Sequence, residues 1–340
     1  MFVADWARGG GLEVELDEAA PGRPNVIATA RGTGGGRTLL LNAHMDTVGY
    51  AGMADPLSPR IEEGRLYGRG AYDMKAGLAA CLVAAAEAAK RGLRGNVVVT
   101  AVVDEELTSI GTESVLKRVR ADAAIVAEPT QMQVAVAHKG FVAFEVETHG
   151  RAAHGSRPDL GIDAIAKMGH ILVGLEALDR SLRERPTHRL LGSGSLHTGV
   201  VAGGTEFSTY PERCVLKAER RTVPGESLDQ IEGELQGLLD RVERDDPDFK
   251  GTWRTVAARH PFEVDENEEI VRLVRSQGSP ANPVGESFWA DSALIAESLI
   301  PTVLFGPGGE GAHALVEWVS IADVERCAAV FLSVATEFCA

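Results

Sequence analysis

Residues with the chemistry of metal ligands stand directly after apolar runs of this sequence. The run LLLNAHMD ends in His44 and Asp46, two further runs end in acids at 104–106 and at Glu128, and a late run leads to His313. Imidazole and carboxylate groups without thiolates are typical ligands of zinc and of similar divalent ions such as cobalt or manganese. Taken singly, each residue has an alternative interpretation as an ordinary turn residue or a solvated charge.

The apolar runs before these groups predict buried strands. The run LLL within RTLLLNAH is apolar, and GNVVVTAVV and ADAAIVA are mostly apolar, which is typical of strands in a parallel sheet that is covered on both faces. Ligands of open α/β sheets bind at the carboxyl ends of the strands. Several carboxylates gathered there without basic partners would repel one another and raise their pKa values, so such a cluster indicates a bound cation.

A glycine-containing loop adds another carboxylate to this set. The loop YGRGAYDMKAG carries Asp73, and its glycines allow the backbone to approach a site closely. The alanine-rich segment that follows ends in Lys90 and Arg91 before Gly92, which predicts a helix with a cationic last turn and a glycine C′ residue. One carboxylate between two histidine-bearing loops could bridge two metal ions.

The strand pattern changes near residue 139, which indicates two domains. Before it, strands and helices alternate, so we predict an α/β fold with a mostly parallel sheet covered by helices. After it, GFVAFEVETHG alternates apolar and polar residues, and the predicted order β-α-β-β-α-β is that of a split βαβ, ferredoxin-like unit. We therefore predict a catalytic domain over 1–138 and 257–340, interrupted by an inserted domain over 139–256.

Composition argues against several classes of partner and location. The 340 residues include 34 basic and 49 acidic ones, and the net charge of -15 repels nucleic acid and anionic lipid. The four cysteines are scattered and are expected to be reduced. No export signal is visible in MFVADWARGG, and the longest apolar stretch is too short to cross a bilayer. We expect a cytoplasmic, soluble protein without a nucleic-acid or membrane partner.

Six sequence blocks together resemble a known enzyme family. In chain order the blocks are NAHMDTV, GRGAYDMKAG, VDEELTSIGT, AEPT, AAHGSRPDLGIDAI and GAHALVEWV. They resemble, in the same order and over nearly the whole chain, the di-zinc amidohydrolase and peptidase family of acetylornithine deacetylase, succinyl-diaminopimelate desuccinylase, aminoacylase and carboxypeptidase G. A lone H-x-D would be weak evidence, whereas six ordered blocks are specific.

The resemblance implies two divalent metal ions, zinc first, with cobalt or manganese as alternatives. One ion would be held by His44, Asp73 and Glu128. The second would be held by Asp73, Glu106 and His313, so that Asp73 is the bridge.

The resemblance also implies roles for two acids beside these ligands. Asp46 would accept the second N–H of the His44 ring and fix its tautomer. Glu105 would be the general base, taking a proton from water and returning it to the leaving amine. Neighbours on a strand point to opposite faces, so Glu105 and Glu106 must lie where the strand ends if they serve one site. The alternative is a pair of solvated acids at a turn.

Two residues of the predicted inserted domain also match the family. His154 matches a histidine that reaches the partner subunit's active site and helps to stabilise the oxyanion, which implies a homodimer formed through this domain. Arg221 matches an arginine that binds a substrate carboxylate, for which a planar guanidinium is suited. The family's aspartate two positions earlier is Glu219 here. The alternatives are a surface-loop histidine and a solvated arginine.

These features imply a metal-dependent hydrolase that cleaves the amide bond of N-acyl amino acids and releases a carboxylate and a free amino acid. A dipeptidase or carboxypeptidase with the same two-metal chemistry is the first alternative, since pocket shape alone decides between them. A metal-binding homologue without activity is the second, because fold does not fix function, and the presence of Glu105 argues against it. The expected substrate is a small N-acyl amino acid or a short peptide.

Overall fold

A computed structural model describes residues 1–340. The chain forms two compact units. The first contains Met1–Ala137, Glu263–Glu286 and Ala290–Ala340, and the second contains His138–Phe262 and Ser287–Trp289.

The helices and strands follow one another in this order: α1 (Phe2–Gly9), β1 (Glu13–Ala20), β2 (Arg23–Ala30), β3 (Leu39–His44), β4 (Arg60–Glu62), β5 (Arg65–Tyr67), α2 (Ala76–Arg91), β6 (Val97–Val102), α3 (Ile110–Val115), β7 (Ala123–Val126), β8 (Ala135–His138), β9 (Gly140–His149), α4 (Ala164–Arg183), β10 (Ser195–Gly203), β11 (Arg213–Thr222), α5 (Leu228–Asp245), β12 (Lys250–Arg259), β13 (Phe262–Glu263), α6 (Glu269–Gln277), β14 (Val284–Glu286), α7 (Ser292–Glu297), β15 (Thr302–Leu304), β16 (Gly309–Glu310), β17 (Trp318–Ser320) and α8 (Ile321–Phe338). A short kinked turn, Ala71–Lys75, precedes α2.

The main sheet has the strand order β1-β2-β6-β3-β7-β15-β8-β13, with β14 beside β8. Its centre is parallel, since β3 pairs in parallel with β6 and β7, and β15 pairs in parallel with β7. On one flank, β2 pairs antiparallel with β6 and with β1. Every residue of β3, β6 and β7 is buried, as expected for strands covered on both faces. The predicted α/β fold class is confirmed, with a sheet that is parallel at its centre and antiparallel on its flank.

Helix α2 lies against the centre of this sheet and ends as the sequence predicts. It packs on β3, β6 and α8. Gly92, directly after the helix, has φ 64°, a left-handed conformation that favours glycine. A second, smaller sheet of the first unit has the order β16-β17-β5-β4.

The second unit is a four-stranded antiparallel sheet with two helices. Its strand order is β10-β11-β9-β12, and the chain visits β9, α4, β10, β11, α5 and β12 in turn, which is the β-α-β-β-α-β order. The inward residues of β9 alternate with partly exposed ones, and Phe144 and Val146 pack with α4 and α5 in a common core. Strands β10 and β12 are the two edges of this sheet.

All four cysteines are buried and unpaired. None of the helices combines the length and apolar composition needed to cross a membrane.

Candidate metal centre

His44 is the last residue of β3 and lies at the centre of a cluster of acids. Its side chain is 1% exposed, so the ring has almost no contact with solvent. The Nε2 atom lies 3.2 Å from Asp73 Oδ1, 3.8 Å from Glu128 Oε1 and 4.0 Å from Glu105 Oε2. The carboxyl ends of three neighbouring strands, β3, β6 and β7, therefore bring their polar residues to one place, as the strand order requires.

Asp73 faces both predicted ligand histidines. It lies in the turn before α2, where its own backbone is not helical (φ -112°, ψ 100°). Its Oδ1 atom lies 3.2 Å from His44 Nε2, and its Oδ2 atom lies 3.3 Å from His313 Nε2. One carboxylate thus has one oxygen toward each imidazole.

Glu106 and His313 form the more exposed side of the cluster. Glu106 Oε2 lies 3.0 Å from His313 Nε2, and the backbone N–H of Val48 donates to Glu106 Oε1 at 3.2 Å. His313 has φ 61° and a side chain that is 56% exposed, whereas the side chain of Glu106 is 10% exposed. This side of the cluster is open to an incoming molecule within the first unit.

Asp46 holds the turn that carries the two glutamates. The backbone N–H groups of Glu105 and Glu106 donate to Asp46 Oδ1 (3.3 Å) and Oδ2 (3.2 Å). His44 Nδ1 lies 3.1 Å from the backbone oxygen of Asp46 and 3.6 Å from its carboxylate. Both acceptors lie on the Nδ1 side of the ring, and the role of the Asp46 carboxylate in fixing the tautomer of His44 stays a prediction.

The side chain of Asp104, the first acid of the 104–106 run, pairs with an arginine instead of joining the cluster. Asp104 has φ 69° at the end of β6 and pairs with Arg23 at 2.6 Å. The left-handed residue turns the chain, so that the two following glutamates leave the strand.

Burial and nearby negative charges raise the pKa values of two acids in the cluster. Burial, with the charges of Glu128 and Asp291, raises the pKa of Glu105 well above its ordinary value. Burial and neighbouring carboxylates likewise raise the pKa of Glu128, although His44 opposes the shift. Such groups take up protons when no other positive charge is near, and a divalent cation would supply that charge instead.

The neighbouring acids raise the pKa values of the two histidines. Burial alone would lower the pKa of His44, but the hydrogen bond to Asp73 and the charges of Glu128 and Glu105 together raise it well above its usual value. Hydrogen bonds to Asp73 and Glu106 raise the pKa of His313 to about 10. For Asp73, burial is outweighed by its hydrogen bonds to His313 and His44, so that its pKa is lowered. Metal ligation requires neutral imidazoles, so a cation bound at this place would release any proton that these two rings carry.

The spacing of the donor atoms fits metal ions. Donors that bind zinc tetrahedrally at about 2.0–2.1 Å lie roughly 3.3 Å from one another, and the separations from 3.0 to 4.0 Å reported above bracket that value. Two sets of side chains present ligand atoms within 4.8 Å of one another: His44, Glu105 and Glu128, and His44, Asp73 and Glu106. Glu105 therefore lies within ligand reach of His44 and Glu128.

The remaining predicted site residues, His154 and Arg221, belong to the second unit. His154 is exposed, and its Nδ1 atom lies 2.8 Å from Ser156 Oγ. Arg221 is partly exposed and pairs with Glu219 at 2.7 Å, with its guanidinium 5.6 Å from the ring centre of Phe141. Their roles stay predictions.

Two buried acids near the cluster were not singled out from the sequence. Glu317 accepts hydrogen bonds from backbone N–H groups of the loop that carries Asp73. Asp291 accepts a 2.5 Å hydrogen bond from Thr112, and its Oδ1 atom is buried without a partner. Burial raises the pKa of Asp291 to about 6, although the bond from Thr112 opposes the shift. No spacing signal marks either residue, because each contacts segments far away in the chain.

The fold and this cluster define the class of α/β metallohydrolases, and comparison with known proteins narrows the class. Residues 40–337 match the model of peptidase family M20/M25/M40. The acetylornithine deacetylase of Myxococcus xanthus is 33% identical over 336 residues, covering 95% of this chain and 86% of that protein. The chain therefore belongs to peptidase family M20/M25/M40 and is an enzyme of this metallohydrolase family.

Solved structures show the same fold. A tripeptidase from Staphylococcus aureus superimposes with a TM-score of 0.81 at 22% identity, covering 99% of this chain and 91% of that one. A protein from Bacillus subtilis, described as a dinuclear metal-binding peptidase of the M20 family, superimposes with a TM-score of 0.77 at 16% identity, with 99% and 91% coverage.

Proposed function

We propose that this enzyme binds two divalent cations, zinc first and cobalt or manganese as alternatives, and hydrolyses the amide bond of N-acyl amino acids. The observation that carries the proposal is the position of Asp73 between two histidines, with one carboxylate oxygen about 3.2–3.3 Å from each. His44, Asp73 and Glu128 would hold one cation. Asp73, Glu106 and His313 would hold the other, in agreement with the dinuclear site named for the Bacillus subtilis relative.

The chain's own residues supply the proton transfers. Bound cations of this kind polarise an amide carbonyl and make water more acidic. Glu105, whose backbone N–H is fixed by Asp46, takes the proton of the attacking water. The new C–O bond forms, the C–N bond breaks, and Glu105 returns the proton to the amine nitrogen. The products are a carboxylate and a free amino acid.

Deacylation is proposed ahead of peptide cleavage because of the relative that is 33% identical, an acetylornithine deacetylase. In this proposal Arg221 binds the α-carboxylate of the amino acid. The partly exposed guanidinium, already paired with Glu219, supports the proposal, since it can exchange one carboxylate for another. His154 would donate to the developing oxyanion.

A substrate panel tests the proposed reaction. The purified enzyme, stripped by chelator and reloaded with zinc or cobalt, is given N-acetyl and N-succinyl amino acids and dipeptides that share the same carboxyl-terminal residue. We expect kcat/KM to be at least about tenfold higher for an acyl amino acid than for the matched dipeptide. Hydrolysis of dipeptides alone would favour the peptidase alternative, and no hydrolysis by a metal-loaded protein would favour the non-catalytic one.

We also propose a homodimer formed through the second unit. The supporting feature is β10, an edge strand whose residues are exposed from His197 to Gly203 and include Val200 and Val201, 48% and 45% exposed. Exposed edges with apolar side chains pair readily with another strand.

Replacing Val201 with Lys is expected to convert the dimer to a monomer, because a lysine on an edge strand opposes strand pairing. The matched control is Val256→Lys on β12, the opposite edge, where Val256 is 52% exposed. Light scattering coupled to size exclusion would measure both masses. A V201K dimer of unchanged stability would contradict the proposed interface.

Complementation tests the placement of His154 in the partner's site. Glu105→Gln and His154→Ala subunits, each nearly inactive alone, are co-expressed with different tags. If His154 acts across the interface, random pairing gives one intact site in half of the dimers, or about a quarter of the wild-type activity. Mixed dimers as inactive as the parents would show that His154 does not act in the partner.

A further inference from the structure

Glu317 is a buried carboxylate outside the proposed ligand set, and four donors surround it. Its Oε1 atom accepts from the backbone N–H groups of Tyr72 (2.9 Å) and Asp73 (3.0 Å). Its Oε2 atom accepts from the backbone N–H of Gly70 (3.0 Å) and from Arg69 Nη1 (2.7 Å). The side chain is fully buried. One carboxylate thus fixes the backbone of the turn in which Asp73 lies.

Arg69 extends this contact to the loop that carries His313. Its Nη2 atom donates to the backbone oxygen of Ala314, the residue after His313, at 2.8 Å. The Arg69 side chain is only 4% exposed, and its Nε atom has no partner. Glu317 and Arg69 therefore tie the two loops together at a fixed separation.

We propose that Glu317 is a positioning residue that, with Arg69, sets the distance between Asp73 and His313 and so determines the affinity of the site for its second cation. The inference rests on the proposed two-cation site. Removing a residue that hydrogen-bonds a metal ligand typically weakens metal binding by about 10–100-fold.

Glutamine is the informative replacement because it has the same shape. Its amide oxygen can still accept from Tyr72 and Asp73, but its NH₂ group would then face the N–H groups of Gly70 and Arg69, and donors would oppose donors. The turn must shift to relieve that contact, and Asp73 shifts with it.

A buried ion pair can also be simply structural, so a matched control is needed. Glu226 in the second unit pairs with the buried Arg220 at 2.5 Å and accepts from the backbone N–H of Val223 at 2.9 Å. Like Glu317, it joins a buried arginine to a backbone N–H group, but without contact to the Asp73 or His313 loops. Glu226→Gln measures the loss of thermal stability that such a replacement causes by itself.

The test is a titration of metal-free wild type, E317Q and E226Q with Co²⁺, followed by visible absorption, with Tm measured for each. We expect E317Q to bind one of two Co²⁺ ions about tenfold or more weakly, with an altered absorption spectrum, and E226Q to match the wild type. Should E317Q fail to fold, Arg69→Lys, which keeps the charge but replaces the two-nitrogen fork that spans Glu317 and Ala314 with a single nitrogen, must show the weakening. Two Co²⁺ ions bound with wild-type affinity and spectrum by the folded variant would overturn the inference.

The same titration separates this inference from the proposed function. A wild type that binds fewer than two Co²⁺ ions would defeat the two-cation proposal itself. A wild type that binds two, with E317Q unchanged, would defeat only the role of Glu317.

Discussion

Glu105→Gln is expected to lower kcat by a factor of roughly 10²–10⁴ while leaving the metal content of the enzyme unchanged, because the replacement removes proton transfer and little else. Glutamine has the shape of glutamate, and the hydrogen bond that fixes this residue to Asp46 comes from the backbone N–H, which the replacement keeps. A general base contributes to the transition state more than to substrate binding, so KM is expected to change much less than kcat.

The neighbouring residue provides the control for this prediction. Glu106→Gln removes a carboxylate that lies 3.0 Å from His313 Nε2, so we expect it to lose metal as well as activity. Metal analysis of both variants after dialysis, together with steady-state kinetics, makes the comparison. Loss of a metal ion from E105Q would instead identify Glu105 as a ligand, in the set with His44 and Glu128 that the geometry also allows.

Asp73→Ala is expected to have the largest effect on metal content, because both proposed cations share this one carboxylate. The replacement removes oxygens that lie 3.2 Å from His44 and 3.3 Å from His313. The remaining two side chains at each position are too few for tight binding of zinc, for which protein sites use three or four ligands. We expect less than one tightly bound ion per chain and activity reduced by at least about 10³-fold.

Asp55→Ala is the control for Asp73, since Asp55 is an exposed acid of a nearby segment of the chain with no side-chain bond to the cluster. Metal content by mass spectrometry and residual activity would be measured for both proteins. A D73A variant that retains two ions per chain would contradict the bridging role.

Much of the fold follows from local sequence pattern. Strands β3, β6 and β7 are buried throughout and mostly apolar because both faces of the sheet are covered, and this signal needs no knowledge of distant contacts. Helix α2 ends at Gly92 for the equally local reason that a left-handed residue closes it. Parallel neighbours then force the strand ends together, which is why His44 and Glu128 could be expected to meet.

Other strands could not be predicted from the hydrophobic pattern of the sequence. Strand β1, EVELDEAA, is an edge strand in which Asp17 is the one fully buried residue, so it lacks an apolar signal. The strands of the small sheet are only two or three residues long, and the pairing of β17 with β5 joins segments about 250 positions apart in the chain. Such pairing depends on tertiary contacts, which outweigh local preference.

The supporting residues of the site were missed for the same reason. Glu317 contacts residues 244 to 248 positions earlier, and nothing in the local sequence around it marks that contact. Asp46 itself was expected from the resemblance, but the backbone N–H groups that its carboxylate binds lie about 60 positions later in the chain and carry no local signal. Residue type and spacing indicate which groups could bind a metal, whereas the groups that orient them are determined by the folded backbone.

The most direct test of the central claim is anomalous diffraction at the zinc edge from crystals of the zinc-loaded enzyme. We predict two peaks per chain, one contacted by His44 and Glu128, the other by Glu106 and His313, and both by Asp73. A single peak, or two peaks that do not share Asp73, would contradict the account.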